Sequence, residues 1–300
     1  MTASLQEVSR LAHAIRRRVL MHTLKNNEGY LSQACSSAEL LASLYGHAMR
    51  LGPSEGPPIP PPFVGTPKTP RATTGAPYNG PHHPDLDRFF FSPVHYSLVL
   101  YATLIEADRL APEALDQFNA DGSTVEMIGA EHSPGIEVTA GSLAQCLSQA
   151  MGVALARKIK GDAGRNWVFM TDGEFQEGQT WEAFAAAAFH KLGNVAAVVD
   201  VNGQQCDGPM DQVMNIEPLA DRLKAFGAAV FEVDGHDVEA LAKAMSCRFD
   251  DRPLVVLGRT DPCRGLDLLR ARAPRLHYVR FKNTDERQLY QEALTEMEGR

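Results

Sequence analysis

The sequence has few of the features that would set it apart from an ordinary globular chain. None of its 300 residues fall in a run of about 18 apolar residues, the length needed to cross a bilayer as a helix. The opening stretch, MTASLQEVSRLAHAIRRRVL, has neither the continuous apolar segment nor the small-residue cleavage site of a secretory signal. Its five cysteines form no C-x-x-C pair, and an odd number would leave one over in a disulfide framework, so reduced thiols are expected. Together these absences point to a cytoplasmic protein with no membrane partner. Net charge is −8, and Lys and Arg are scattered rather than gathered on one face. Nucleic acid is therefore not an expected partner. The one basic cluster, Arg16-Arg17-Arg18, lies on a helical pattern, where a solvated face or a carboxylate partner is the plainer reading. No P-loop, no G-x-G-x-x-G and no internal repeat occurs.

The composition, 44% hydrophobic and 22% charged, is close to the average for globular domains and leaves room for a substantial core. Apolar residues at helical spacing over 5–24 (Val8, Leu11, Ala12, Ile15, Val19, Leu20) predict an opening helix. Ser36-Ser37 then precede a second pattern through Leu40, Leu41 and Leu44. Eleven of the nineteen prolines fall between Gly52 and Pro84, where missing amide donors forbid a regular helix or central strand. We read residues 52–84 as an irregular loop, a binding or interface segment or a disordered one, within a single domain spanning 1–300. Further on, "WVFM", "VAAVVDV", "AAVFEVD" and "PLVVLG" are short, apolar on both faces and separated by helical stretches. That pattern predicts an α/β fold, a doubly wound parallel sheet flanked by helices.

Ligands of such sheets bind beyond the carboxyl ends of the strands. Asp172 follows "WVFM" and Asn202 follows "VAAVVDV", one crossover helix apart, so both should emerge at the same rim. A carboxylate, an amide oxygen and a backbone carbonyl just past Asn202 would make three hard oxygen ligands for Mg2+ or Ca2+, with a diphosphate and water completing the shell. Asp-Gly and Asn-Gly are also common turns, and the pair alone favours that plainer reading.

The flanking residues change the balance. Asp172-Gly173-Glu174, Glu177-Gly178, Trp181-Glu182-Ala183, Lys191-Leu192-Gly193-Asn194 and Asp200-Val201-Asn202, taken together, resemble the thiamine diphosphate motif of the transketolase family. "FSPVHYSLVLYATL", "EHSPGIEVTAGSLAQCLSQAMGVALA", "DRPLVVLGRT" and "LHYVRF" are similar to further segments of the same family's first domain. The resemblance implies the N-terminal, diphosphate-binding half of a split transketolase. It implies thiamine diphosphate and Mg2+ (or Ca2+) as cofactors. It also implies a partner subunit carrying the pyrimidine-binding domain, a heterotetramer with two copies of each chain, and ketol transfer from a ketose to an aldose.

By the same resemblance Asp172, Asn202 and the backbone carbonyl of Gln204 match metal ligands. Gly173 and Glu174 match cofactor-binding positions, as do Gly141 and Leu143 in a turn that packs on the cofactor. His95 and His132 match histidines of the thiazolium and substrate channel, with His277 a third by its place near the chain end. Glu177 matches a subunit-interface glutamate. The sequence departs from the family pattern at Thr171, Ser142, Ala144 and Tyr30. Tyr30 stands where a substrate-facing histidine is usual, which implies a ketose other than the common pentose and hexose phosphates. Two alternatives stay open: a non-catalytic regulatory or scaffold homologue, and another thiamine diphosphate enzyme, such as the α chain of a dehydrogenase or a deoxyxylulose-type synthase.

Overall fold

The computed structural model describes residues 3–65 and 74–299. Along the chain the helices are α1 (Leu5–Asn26), α2 (Leu31–Ser43), α3 (Ser97–Glu106), α4 (Gln145–Lys160), α5 (Gly178–Phe189), α6 (Met210–Val213), α7 (Leu219–Ala225), α8 (Val238–Ser246) and α9 (Thr284–Glu298). The strands are β1 (Glu28–Gly29), β2 (Arg88–Phe91), β3 (Asn166–Thr171), β4 (Val195–Val201), β5 (Gln204–Gln205), β6 (Gly208–Pro209), β7 (Ala229–Asp234), β8 (Leu254–Arg259) and β9 (Val279–Arg280).

A five-stranded sheet in the order β2-β3-β4-β8-β7, parallel throughout, forms the centre. β3 and β4 are buried along their whole length, as strands covered by helices on both faces must be. β7, at one edge, alternates half-buried and exposed positions. The four apolar runs expected to be strands are β3, β4, β7 and β8. Arg88–Phe91, a run of three phenylalanines just before Ser92-Pro93, supplies the other edge. Its Phe91 stacks on Phe169 of β3 at 5.4 Å, an edge strand secured by aromatic packing.

Ser4 opens α1 with a capping box to Glu7, and Gly161 closes α4 in the left-handed conformation at φ 78°. The second helix departs from its expected start. Ser36 and Ser37 lie inside α2, not before it: the Ser37 hydroxyl bonds back to the carbonyl of Gln33 and the Ser36 hydroxyl turns to Asp200 Oδ2, so neither caps the start of the helix. The proline-rich segment has no helix or strand over residues 51–65 and one 3-10 turn at Ala76–Asn79, while residues 66–73 of that expected loop lie outside the described residues. It is tied to the body by the Arg109 guanidinium, which donates to the carbonyls of Tyr78 and Gly52, both at 2.9 Å.

Buried in α1, His22 stands edge-on to Phe118, and its Nε2 accepts from Asn26 Nδ2 at 3.1 Å. The same amide nitrogen donates to the His22 carbonyl, so the ring nitrogen is an acceptor and the imidazole is neutral. Burial pushes its pKa down to about 4. In the unfolded chain the ring protonates near 6.5, whereas in the folded chain it stays neutral until about 4, so its contribution is complete above 6.5 and is lost as pH falls toward 4. The shift corresponds to about 3 kcal/mol. Urea denaturation from pH 7.5 to 4 is expected to give a smaller acid-side loss for His22→Phe than for the parent, and equal losses would contradict this.

Candidate active site

The loops that follow β2, β3, β4 and β8 all open at the carboxyl edge of the sheet, where they enclose a cleft of about 230 Å³. Its walls include Gln33 of α2, His95 and Tyr96 from the turn after β2, and Leu143 before α4. Asp172 and Gly173 follow β3, Asn202, Gln204 and Gln205 follow β4, and His277 precedes β9.

Asp172 and Asn202 meet here. The loop after β4 bends at Gly203 with φ 66°, a conformation that disfavours side chains, and this points the Gly203 N–H at Asp172 Oδ2, 2.7 Å away. Asn202 Oδ1 accepts from the Gln204 N–H at 2.9 Å, which leaves one lone pair of that oxygen for a ligand. Asp172 is 2% exposed. Burial first, then the charge of nearby Asp200, pushes its carboxyl up to about 8, so the site is short of positive charge. The Gln204 Oε1 is buried without a hydrogen-bond partner. At Gly173 a side chain would meet the Gln205 amide nitrogen at 2.8 Å, so the glycine keeps open the approach between the two loops.

Among the described residues no group of three or more His, Cys, Asp and Glu is arranged to hold a metal. A divalent ion here would therefore rest on the Asp172 carboxylate with neutral oxygens from Asn202 and Gln204, a hard-oxygen set that suits Mg2+ better than a softer metal. The donor set and the burial of two neighbouring carboxyl groups, whose desolvation a cation would relieve, fit such an ion.

His95 and His277 face each other across the cleft with ring centres 5.3 Å apart, and Tyr30 closes on both edge-on at 6.2 and 5.5 Å. Burial, with a lesser contribution from His277, pushes His95 down to about 3, and burial lowers His277 as well. Both rings are thus neutral near pH 7. Gln33 Nε2 donates to the His277 carbonyl at 2.9 Å, which identifies that atom as the amide nitrogen. Its 3.3 Å contact with Nδ1 then makes Nδ1 the acceptor and leaves the proton on Nε2.

Three assignments made from the sequence alone land elsewhere. His132 is not on the cleft. Its Nε2 meets Glu126 at 3.1 Å and its ring lies 4.4 Å from Phe63, in a separate hollow beneath the proline-rich segment, so that segment and not the sheet edge decides its place. Glu174 is fully buried behind the cleft, accepting from the Thr171 N–H at 2.8 Å and from the Ser92 hydroxyl, because as the third residue of its turn it caps the end of β3 and faces inward. Gly141 is exposed and has no atom within 4 Å of its side-chain position, although Leu143, two residues on, lines the cleft. Glu177 sits exposed at the start of α5.

Gln33, Tyr96 and Asp200 were given no role by the sequence. Only Asp200 left a trace, as a carboxylate near the end of a strand otherwise apolar on both faces.

The fold and cleft define a parallel α/β protein with an oxygen-rich, cation-compatible site at the strand ends. A family model described as "Transketolase, thiamine diphosphate binding domain" matches residues 71–265. The chain is 36% identical to y4mO, an uncharacterized transketolase family protein of Sinorhizobium fredii, with 89% of each chain covered. It is 30% identical to the 6-deoxy-6-sulfo-D-fructose transketolase subunit SqwG of a Clostridium species, over 85% of this chain and 84% of that one. A crystal structure of Pichia stipitis transketolase superposes with a TM-score of 0.68 at 22% identity, covering 99% of this chain but 45% of that one. The chain belongs to the transketolase family. It spans less than half the length of the Pichia transketolase and nearly all of the two subunit-sized relatives.

Proposed function

We propose that the chain is the diphosphate-binding subunit of a two-subunit transketolase, which moves a two-carbon ketol unit from a ketose to an aldose. The observation that carries this reading is the 2.7 Å bond from the Gly203 N–H to Asp172, which joins the loops after β3 and β4 into one oxygen-lined site. Asp172, Asn202 and the Gln204 carbonyl would hold Mg2+, and Mg2+ would hold the diphosphate of thiamine diphosphate. Bound thiamine diphosphate supplies a nucleophilic carbon and an electron sink for cleavage of a carbon–carbon bond.

The chain's own residues bind, orient and move protons around that centre. Leu143 offers an apolar contact at the cleft wall. Close together, His95 would accept a hydrogen bond from a sugar hydroxyl and His277 would donate one from Nε2, which orients the substrate for proton transfer. Gln33 holds the His277 ring with its Nε2 proton free for donation. Glu177, exposed on α5, would face a neighbouring subunit.

The partner would carry the pyrimidine-binding domain, and two copies of each chain would form a symmetric heterotetramer. Similarity to a relative named as a subunit, together with the match to less than half of a full-length transketolase, supports this. Tyr30 against His95 and His277 supports a donor other than the common sugar phosphates, and the relative named for a sulfonated fructose makes sulfonated ketoses a sensible first class to try. Five free cysteines support a reducing compartment such as the cytoplasm.

The test is a ketol-transfer assay over a panel of ketose phosphates and sulfonated ketoses, run on the chain alone and on the complex with a co-purified partner. Transfer by the complex and none by the chain is expected. Tight cofactor binding by a complex without transfer on any donor would favour a regulatory subunit instead, and xylulose 5-phosphate turnover at ordinary transketolase rates would remove the argument from Tyr30.

A further inference from the structure

A carboxylate ligand presents an oxygen whichever way it turns, but a carboxamide does not. Rotated by half a turn, Asn202 would present an NH2 group to a cation instead of an oxygen. Two partners of opposite and fixed polarity decide the matter here. The Gln204 N–H can only donate, and it meets Asn202 Oδ1 at 2.9 Å. With Oδ1 so fixed, the other atom is the amide nitrogen, which can only donate, and Asp200 Oδ2 lies 3.1 Å from it as the acceptor. Tyr96 completes the arrangement: its hydroxyl accepts from Asn202 Nδ2 at 2.9 Å and donates to Asp200 Oδ2 at 3.2 Å.

Asp200 is itself held from three other parts of the fold. Ser36 of α2 donates to Oδ2 at 2.6 Å, Thr260 after β8 donates to Oδ1 at 2.5 Å, and the Tyr96 hydroxyl comes from the turn before α3. It is fully buried, and all four side-chain donors are neutral. A buried carboxyl group satisfied only by neutral side chains is a poor way to gain stability, since an apolar residue of similar size at the end of β4 would pack without the desolvation cost. Its geometry makes sense as a polarity reference for the amide two residues on.

We propose that Asp200, assisted by Tyr96, is a positioning residue that locks the Asn202 carboxamide with its oxygen toward the cation. The proposal rests on the reading of Asp172 and Asn202 as cation ligands. It assigns Asp200 no contact with the ion, the cofactor or the substrate.

The full chain, in whatever assembly it purifies, is titrated with Mn2+ in the presence of thiamine diphosphate, and free Mn2+ is read from its electron paramagnetic resonance signal. Asp200→Asn removes the acceptor-only partner and is expected to weaken Mn2+ about 30-fold, within the range for groups that orient a metal ligand. The exchange variant Asp200→Asn with Asn202→Asp restores a ligand with two equivalent oxygens. It is expected to return affinity to within about threefold of the parent, as a carboxylate has no wrong orientation. Tyr96→Phe, which keeps the ring and is the mildest change to folding, is expected to weaken Mn2+ less, about tenfold, at the low end of such effects.

Unchanged Mn2+ affinity in both Asp200→Asn and Tyr96→Phe would overturn the proposal. So would an exchange variant as weak as Asp200→Asn, since a purely structural carboxylate is not rescued by a change at position 202. Should Asp172→Ala also leave Mn2+ affinity untouched, the metal-site reading itself has failed, an outcome distinct from either of these.

Discussion

Asp172→Ala is expected to lower the affinity for thiamine diphosphate in the presence of Mg2+ by roughly 100-fold or more, since loss of a direct ligand should exceed the effect of losing an outer partner. The protein without cofactor is expected to lose little stability. Asp172 is 2% exposed, lies near the buried Asp200 and is only weakly offset by the charge of Arg259, so the native fold carries it at a cost that a bound cation would relieve. Its one strong internal bond, from the Gly203 N–H, becomes a lost partner worth about 1–3 kcal/mol when the carboxylate is removed. These two effects oppose one another. The measurement is a thermal melt with and without Mg2+ and thiamine diphosphate, because a ligand raises the melting temperature only insofar as it binds the folded state. The variant should melt near the parent without ligand and show almost none of the ligand-induced rise. A full rise would mean that the cofactor is held elsewhere.

Glu174→Ala is expected to do the reverse, lowering stability by about 3–5 kcal/mol while leaving cofactor affinity of the folded protein within a few-fold. The carboxylate is fully buried, and it joins the Ser92 hydroxyl after β2 to the Thr171 N–H at the end of β3. Truncation leaves both donors without an acceptor, at about 1–3 kcal/mol each, and opens a cavity between the two loops. Urea denaturation and a binding isotherm taken well below the melting transition separate the two quantities. Loss of cofactor binding with unchanged stability would restore Glu174 to the cofactor contact that its place in the motif implied.

How far each residue was legible depended on what kind of information fixed its place. The strands β3, β4 and β8 were legible because burial on both faces leaves continuous apolar runs, and Asp172 and Asn202 were legible because each follows such a run directly. β2 was less so, since three phenylalanines before a Ser-Pro turn suit a loop as well as a strand. α2 begins earlier than its serines indicated, and the reason lies in buried contacts: Ser36 reaches Asp200, a partner 164 positions away.

The histidines divide in the same way. His95 stands four residues beyond β2 and cannot stray far from the sheet edge, whereas His132 sits in a stretch without helix or strand and is drawn to Glu126 and Phe63. His277 is brought opposite His95 by the chain's return through β9, which pairs with β1 near the N-terminus.

The sequence by itself determined the class of fold, the strand ends from which a carboxylate and an amide emerge, and the family to which those motifs belong, because periodicity and turn chemistry are local properties written in consecutive residues. Only the tertiary structure decided that Glu174 faces inward, that His132 belongs to a different hollow, and that Asp200 and Tyr96 set the polarity of Asn202. Each of those outcomes depends on partners brought together from distant parts of the chain, and hydrogen-bond direction between such partners is a matter of geometry that no local pattern encodes.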